Sequence, residues 1–453
     1  MSATTACGSG LDGPGLDGSG LDDPGADGGD PGAGPDRGNG PAAAGGLVPR
    51  ERLAAWHALL SRPLLSYYLI VGISALLLAL GLVMVLSTSS ASALVNGTPP
   101  YKDFQKQLLG VALGLPVMWI AARSSPRLFR AAAYPLLAVS VLGLMLTLIP
   151  GVGVVSGGAS RWIQVGPLQL QPSELAKFAF VLWGADLLAR KERIGRLNDW
   201  RHLLLPLLPG AALICMLVML GDDLGTTFVL LTIFLTLLWV VGTPGRLFVG
   251  MLALIGLAMF MMIVVAPYRL ERLTSFMHPQ SNPVGVNMQS IQGKYALGSG
   301  GWFGVGLGAS RQKWGWVPNA TTDYIFAIVG EELGLIGTLC VSALYGGLAY
   351  AGLRVARRVE DTFMQLAAAA ATAWIVAQAV VNIGAVIGVF PITGVPLPLV
   401  SEGVSSLLVT MASLGMLMSF AKREPGAREA LAARGDTGVR RVLSWLGLAP
   451  RRA

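Results

Sequence analysis

The sequence predicts an all-α polytopic membrane protein, with about ten transmembrane helices and a large outer loop between spans seven and eight. Three observations carry this expectation. Apolar residues make up 53% of the 453-residue chain and charged residues only 13%, about half the charge of a typical soluble domain. Apolar runs of about 20 residues, the length a helix needs to cross hydrocarbon, recur along the chain. Lysine and arginine gather in alternate connections between these runs, the pattern of positive-inside loops. A disulfide scaffold is excluded, since two of the three cysteines, Cys215 and Cys340, sit inside apolar runs. Three histidines without a His/Cys cluster exclude a structural zinc site.

The net charge of +8 is unevenly divided. Residues 1–48 hold seven Asp and one Arg, while the remainder holds 32 basic against 18 acidic groups, hence +14. On a bilayer protein this basic balance reads as positive-inside loops rather than nucleic-acid binding. Residues 8–34 form a degenerate Gly-Leu-Asp-Gly repeat without β-branched or aromatic residues. Such a segment cannot bury enough surface to offset its ordering entropy, so residues 1–48 are expected to be a disordered cytoplasmic tail. It lacks the basic start and apolar core of a signal peptide, and the bulky apolar positions of a calcium-binding β-roll.

Arg50, Arg52 and Arg62 precede the first apolar run, Leu64–Leu86, which puts the N-terminus in the cytoplasm. Further spans are predicted at Gln107–Ala122, Ala131–Ile149, Ser173–Ala189, Leu203–Leu220, Thr226–Val241, Leu247–Ala266, Asp323–Ala351, Phe363–Val389 and Ser405–Ala421. The inner connections then carry Arg123, Arg127 and Arg130; Arg190, Lys191, Arg193, Arg196 and Arg201; Arg246; Arg354, Arg357 and Arg358; and Lys422 with Arg423. Every one is basic, so both termini are expected inside. The membrane domain runs from 49 to 423, and residues 424–453 form a basic tail suited to the membrane surface.

The outer loop 268–322 breaks the charge rule. It carries Arg269, Arg272, Lys294, Arg311 and Lys313 against one acid, Glu271. These cations suit an anion at the outer leaflet, such as a lipid phosphate. Its glycines, among them Gly298, Gly300, Gly301, Gly304, Gly306 and Gly308, suit a backbone packed close to other groups or a re-entrant segment. Other polar groups fall within or beside spans. Glu174 and Lys177, at i and i+3, share a helix face and can pair, and Ser173 is a plausible N-cap. An ion pair at that depth is either glue between helices or part of a site. Asp222 and Asp223 lie between two spans, Glu331 and Glu332 within a span, and Glu402 after a Pro-rich, non-helical break. Together they put several carboxylates at the outer half of a helical bundle, beneath a basic loop.

At these segments the chain resembles the SEDS family (shape, elongation, division and sporulation), of FtsW/RodA type. The resemblance rests on QPSELAKFAF (171–180), DLGTT (223–227), GSGGWFGVGLGASRQKWGWVPNATTDYIFAIVGEELGLIG (298–337) and NIGAVIGVFPITGVPLPLVSEGVSS (382–406). These occur in family order across most of residues 64–423, and the long GSGG to GEELG stretch is nearer the division type, FtsW, than RodA. The resemblance implies a peptidoglycan glycosyltransferase of the bacterial cytoplasmic membrane, placed at the division septum. Such an enzyme polymerises lipid II, a disaccharide-pentapeptide on undecaprenyl diphosphate, beside a class B penicillin-binding protein and other division proteins. The chemistry fits: an isoprenoid tail suits a groove between helices, a diphosphate leaving group suits Arg and Lys, and an acceptor hydroxyl needs a carboxylate base. By this resemblance the catalytic positions are Asn282, Glu174, Lys177, Asp323 and Glu402. The substrate-binding positions are Arg161, Ser173, Arg269, Arg272, Gln289, Lys294, Lys313, Ser401 and Ser405. No cofactor is called for, and a divalent cation beside the diphosphate stays open.

The sequence departs from the family at one decisive point. Where the family's outer loop carries a catalytic Asp before Pro, this chain has Asn282, and an amide is no base. No Asp or Glu occurs between Arg272 and Thr322. The family's Gly-Tyr-Gln is Asn287-Met288-Gln289, and Val404 stands where Gly is usual in the later turn. Another acid could serve, with Glu271, Asp323 and Glu402 as candidates; the chain could be a silent scaffold activating its partner; or Asn282 could be an introduced change. The drift at Val286–Met288 favours natural divergence. Three functions are therefore carried forward: lipid II polymerase, silent division scaffold, and lipid II flippase. Retention of QPSELAK and GEELG favours the first, and the missing carboxylate the second. The third lacks an inverted internal repeat.

Overall fold

The computed structural model describes residues 63–97, 99, 101–156, 159–166, 168–194, 200–265, 270, 274, 276–278, 287–427 and 429–430. The predicted tail at 1–48, and all of the predicted tail at 424–453 beyond residue 430, lie outside these residues. A helix occupies each of the ten predicted positions: α1 Leu65–Asn96, α2 Lys102–Arg123, α3 Pro126–Thr147, α4 Pro172–Arg193, α5 Trp200–Leu220, α6 Leu224–Val240, α7 Gly245–Val265, α9 Ile325–Arg358, α10 Thr362–Ile387 and α11 Val404–Ala421. A further short helix, α8 (Met288–Ser299), lies inside the outer loop. Among the described residues, seven helices are long and apolar enough to cross a membrane, and the apolar stretches of α5 and α6 are shorter. The fold is a multi-pass helical bundle.

The helix ends follow from local chemistry. Ser125 caps α3, accepting from the Leu128 N–H, with Pro126 at the first helical position. Asp361 does the same for α10, accepting from Met364, and Gly388 ends that helix in the left-handed region. Helices α2, α3 and α5 contain prolines, Pro116, Pro135, and Pro206 with Pro209, residues that are more frequent in membrane helices than in soluble ones. Helix α4 is corrected in one respect. Its cap is Gln171, with Pro172 at the first position, and Ser173 is the second helical residue, its hydroxyl unpartnered.

Helices α4 and α10 form the centre. Most of both is buried, and α10 packs on α4, α6 and α9. Helix α7 is peripheral, packing on α6 with almost all its surface outward. Between α3 and α4 the chain forms a small sheet that the sequence reading did not anticipate. Strands β1 (Gly153–Ser156), β2 (Ala159–Val165) and β3 (Leu168–Leu170) run antiparallel in that order, with Ile163 opposite Gly153 and Leu170.

The glycine-rich loop acquires its explanation from α9. That helix breaks at Gly334, whose φ is 68°. The break leaves main-chain groups without helical partners. Residues 300–306 lie along it and supply them: Val305 N–H donates to the Glu331 carbonyl at 2.9 Å, and Gly306 to that of Glu332 at 3.1 Å. In return Leu335 N–H donates to Gly301 at 2.9 Å and Ile336 to Trp302 at 3.2 Å. The backbones are so close that a Cβ at Gly300 would run into the Gly330 carbonyl oxygen. Gly300→Ala is therefore expected to cost about 1–3 kcal/mol by overpacking, read as a lower Tm in detergent, whereas Gly298→Ala, in open space, leaves Tm unchanged.

Candidate active site

The site is built at the end of the bundle where α4 begins and α10 ends. Lys177 Nζ donates to Glu174 Oε1 at 2.8 Å, and both side chains are buried. The ammonium also faces the ring of Trp374 on α10 at 5.4 Å. Glu174 Oε2 has no protein partner. The predicted pair is thus formed, and it sits in the bundle centre.

Above it the Pro-rich segment between α10 and α11 acts as a hub. The Leu397 N–H donates to Ser401 Oγ at 2.8 Å, and that hydroxyl donates to the Thr322 carbonyl. The Glu402 N–H donates to the Thr321 carbonyl at 3.0 Å. Gln107 on α2 donates to the Ser401 carbonyl at 3.3 Å and accepts from the Gly403 N–H at 3.2 Å. Ser405 Oγ accepts from the Gln171 N–H and donates to the Gln169 carbonyl, each at 3.1 Å. Ser401 and Ser405 therefore tie the outer loop, α4 and the sheet to one turn. Glu402 stands between them, partly exposed. Burial, then the nearby Asp103 carboxylate, push its carboxyl above the usual range, against opposing effects of Lys106 and a Thr321 hydrogen bond.

Asp223 caps α6, accepting from the Thr226 N–H at 3.0 Å and the Thr226 hydroxyl at 2.8 Å. Gln171 Nε2 donates to it at 3.3 Å. Arg161, on β2, donates to the Gly221 carbonyl at 3.3 Å and to that of Asp222, and its guanidinium lies 4.0 Å from Asp223. The unanticipated sheet is what carries this arginine over the α5–α6 turn.

On the other flank, Asp323 accepts from Gln289 Nε2 at 3.4 Å and from the Thr322 hydroxyl at 3.1 Å. Burial, with Asp323 adding to it, raises the Tyr324 phenol well above its ordinary value. Glu331 accepts from Ser310 Oγ, the Arg311 N–H at 3.0 Å and the Gln312 N–H at 3.3 Å. Lys313 is buried and donates to Glu332 at 3.1 Å, Ser87 at 2.9 Å and the Gly308 carbonyl at 2.7 Å. Its charge thus holds the loop onto α9 and α1 instead of facing outward. Lys294 is exposed, with its ammonium against Gly388. Arg269, Glu271, Arg272 and Asn282 lie outside the described residues.

Sequence reasoning passed over Gln107, Gln171, Gln378 and Asn382. Their signal was an amide inside or beside an apolar run, which is costly unless bonded. Asn382 bridges the carbonyls of Asp323 at 2.7 Å and Val395 at 2.8 Å. Among the described residues no group of three or more His, Cys, Asp and Glu is placed to hold a metal ion. Two grooves adjoin the site. One of about 560 Å³, almost wholly apolar, lies between α5, α6 and α7, lined by residues including Met219, Leu220, Thr227 and Met251. Another of about 300 Å³ lies among α8, α9 and α10.

A helical bundle with a buried ion pair, a broken helix, a polar cluster and two apolar grooves defines a multi-pass membrane protein. The FtsW/RodA/SpoVE family, described as cell cycle protein, matches residues 67–425. The chain is 41% identical over 410 residues to the "Probable peptidoglycan glycosyltransferase FtsW" of Mycobacterium tuberculosis, covering 90% of this chain and 77% of that one. It is 36% identical over 355 residues to the stage V sporulation protein E of Bacillus subtilis, covering 78% and 96%. Among solved structures, a peptidoglycan synthase complex matches with a TM-score of 0.63 at 30% identity, covering 78% of this chain and 96% of that one. The rod shape determining protein RodA of Thermus thermophilus matches at 0.58 and 28%, covering 79% and 97%. The chain belongs to the FtsW/RodA/SpoVE family.

Proposed function

We propose that this chain is a peptidoglycan glycosyltransferase that polymerises lipid II at the outer face of the bacterial cytoplasmic membrane during division. One observation carries this reading: the polar cluster at the start of α6, where Arg161 and Gln171 meet Asp223, lies one turn from Thr227, which lines the apolar groove between α5, α6 and α7. An isoprenoid chain suits that groove, since Leu220 and Thr227 line it and Asp223 lies between them in sequence. The diphosphate then lies near Arg161, with Lys294, Arg269 and Arg272 as further cations supplied by the outer loop. Glu402 takes the proton of the acceptor hydroxyl as the new glycosidic bond forms and the diphosphate leaves with the electron pair of the broken C–O bond. Its raised affinity for protons suits a general base better than an ordinary carboxylate. The names of the mycobacterial relative and of the solved synthase complex support the same activity.

The topology follows from the charge rule: both termini are cytoplasmic, residues 1–48 and 424–453 are tails, and the mouth faces outward at the septum. A class B penicillin-binding protein is the partner, and its membrane helix docks in the groove among α8, α9 and α10. Thr338 and Ser342, four residues apart on the unbroken part of α9, line that groove and offer a small-residue face on which a membrane helix can approach closely. Ser342→Phe is expected to abolish co-purification of the partner while leaving the monomer folded; retained co-purification rules out this docking place.

A second reading, a silent scaffold, is favoured by Asn282 at the position of the family Asp. One experiment separates the two. The purified protein, alone and with its partner, is assayed for lipid II polymerisation beside Asn282→Asp and Glu174→Ala. Glycan strands from the unaltered protein, lost in Glu174→Ala, support the enzyme. Strands only from Asn282→Asp support the scaffold. No strands from any form overturn the polymerase reading.

A further inference from the structure

Four buried polar atoms at the centre of the bundle have no protein partner. They are Ser173 Oγ, Glu174 Oε2, Gln378 Nε2 and Asn382 Oδ1. All four side chains are at most 3% exposed. A relay of sequence neighbours and side-chain contacts links them. Ser173 adjoins Glu174 in α4; Glu174 holds Lys177; Lys177 faces Trp374; and the Trp374 indole N–H donates to Gln378 Oε1. Asn382 lies one turn beyond Gln378 on α10 and reaches the Asp323 carbonyl at the mouth.

Each such atom costs about 1–3 kcal/mol if it stays unbonded, so four together cannot be left dry. Their chemistry identifies what satisfies them. The set mixes two acceptors, one donor and a hydroxyl that does either. The Lys177 ammonium disfavours a metal cation, and the Glu174 carboxylate disfavours an anion. Water, which donates and accepts, matches all four. Beside Ser173 there is a polar cavity of about 10 Å³, lined also by Thr147, Ser160, Arg161 and Asp223, about the space one water molecule needs.

We propose that Ser173, Glu174, Gln378 and Asn382 hold a file of ordered water molecules that connects the buried Glu174–Lys177 pair to the face carrying Arg161 and Asp323. The file hydrates the buried pair from the aqueous phase on that face. It stands independently of the glycosyltransferase reading, because it concerns hydration alone.

Pulsed hydroxyl-radical footprinting of the full-length protein in lipid nanodiscs tests it, since radicals born from bound water mark the side chains beside it. Trp374 and Phe363 are both 0% exposed, and only Trp374 touches the cluster. Trp374 is expected to be modified several-fold faster than Phe363 after correction for intrinsic reactivity, and Gln378→Leu, folded by size-exclusion, is expected to slow it. Equal rates for the two rings in the unaltered protein overturn the proposal, whatever the variant does. An unchanged Trp374 rate in folded Gln378→Leu removes Gln378 from the file and overturns the assignment as stated.

Discussion

Lys177→Met is expected to destabilise the protein by about 3–5 kcal/mol, the usual cost of removing one partner from a buried ion pair. The reason is geometric. The pair is 2.8 Å apart, and both side chains are almost fully enclosed between α4 and α10. Without the ammonium, the Glu174 carboxylate stays in the bundle with no opposite charge beside it. It must then take up a proton or force the helices apart. The double variant Glu174→Gln/Lys177→Met removes both charges and is expected to recover most of the loss, since replacing a whole buried pair is often neutral. Thermal unfolding in detergent gives the comparison, and lipid II polymerisation on the same samples gives its second half. Recovered stability with absent polymerisation places the pair in the reaction. Recovery of both reduces it to packing. A single variant as stable as the parent contradicts the burial itself.

Glu402→Gln is expected to lower the rate of glycan synthesis by about 10²–10⁴, the usual contribution of a positioned base, with little change in Tm. Its pH dependence is also specified. The carboxylate works only when ionised, and burial with Asp103 raises the pH at which it ionises. The rate should therefore fall on acidification at a higher pH than the ordinary glutamate value of about 4.3. Asp103→Asn removes a like charge and moves that fall to lower pH. Lys106→Met removes an opposite charge and moves it to higher pH. Profiles that shift the other way, or a Glu402→Gln protein as active as the parent, return the base to Asp323 or Glu271.

Much of the architecture was legible in the chain itself. Apolar run length marks most of the helices, because hydrocarbon demands a helix of about that length wherever such a run is inserted. Among the described residues seven helices are long and apolar enough to cross a membrane, and α4, with Glu174, Lys177 and Asp186 inside it, is not one of them. The i, i+3 spacing of Glu174 and Lys177 is a local geometric fact, and the pair formed as that spacing implies. Ser173 shows the limit of local reasoning. Its residue type suits a cap, yet Pro172 fits the first helical position better and moves the helix start outward.

What the sequence determined by itself was the helical bundle, the buried carboxylates and lysine, and the family motifs, since each depends on period, spacing or residue type along the chain. Tertiary structure alone decided which polar groups are engaged and which face one another. Lys313 and Arg311 are both cations of the glycine-rich loop, but only Lys313 is drawn inward, because Glu332 and Ser87 reach it from distant segments. The break at Gly334 and the glycines at 300 and 304 need each other, although they are separate in sequence, because the loop backbone supplies the partners that the broken helix lacks. Glu402 gains its character first from burial and then from Asp103, about 300 residues earlier in the chain. Such long-range pairings leave no period in a sequence, since they are selected by complementary shape and charge between segments brought together by the packing of the whole bundle.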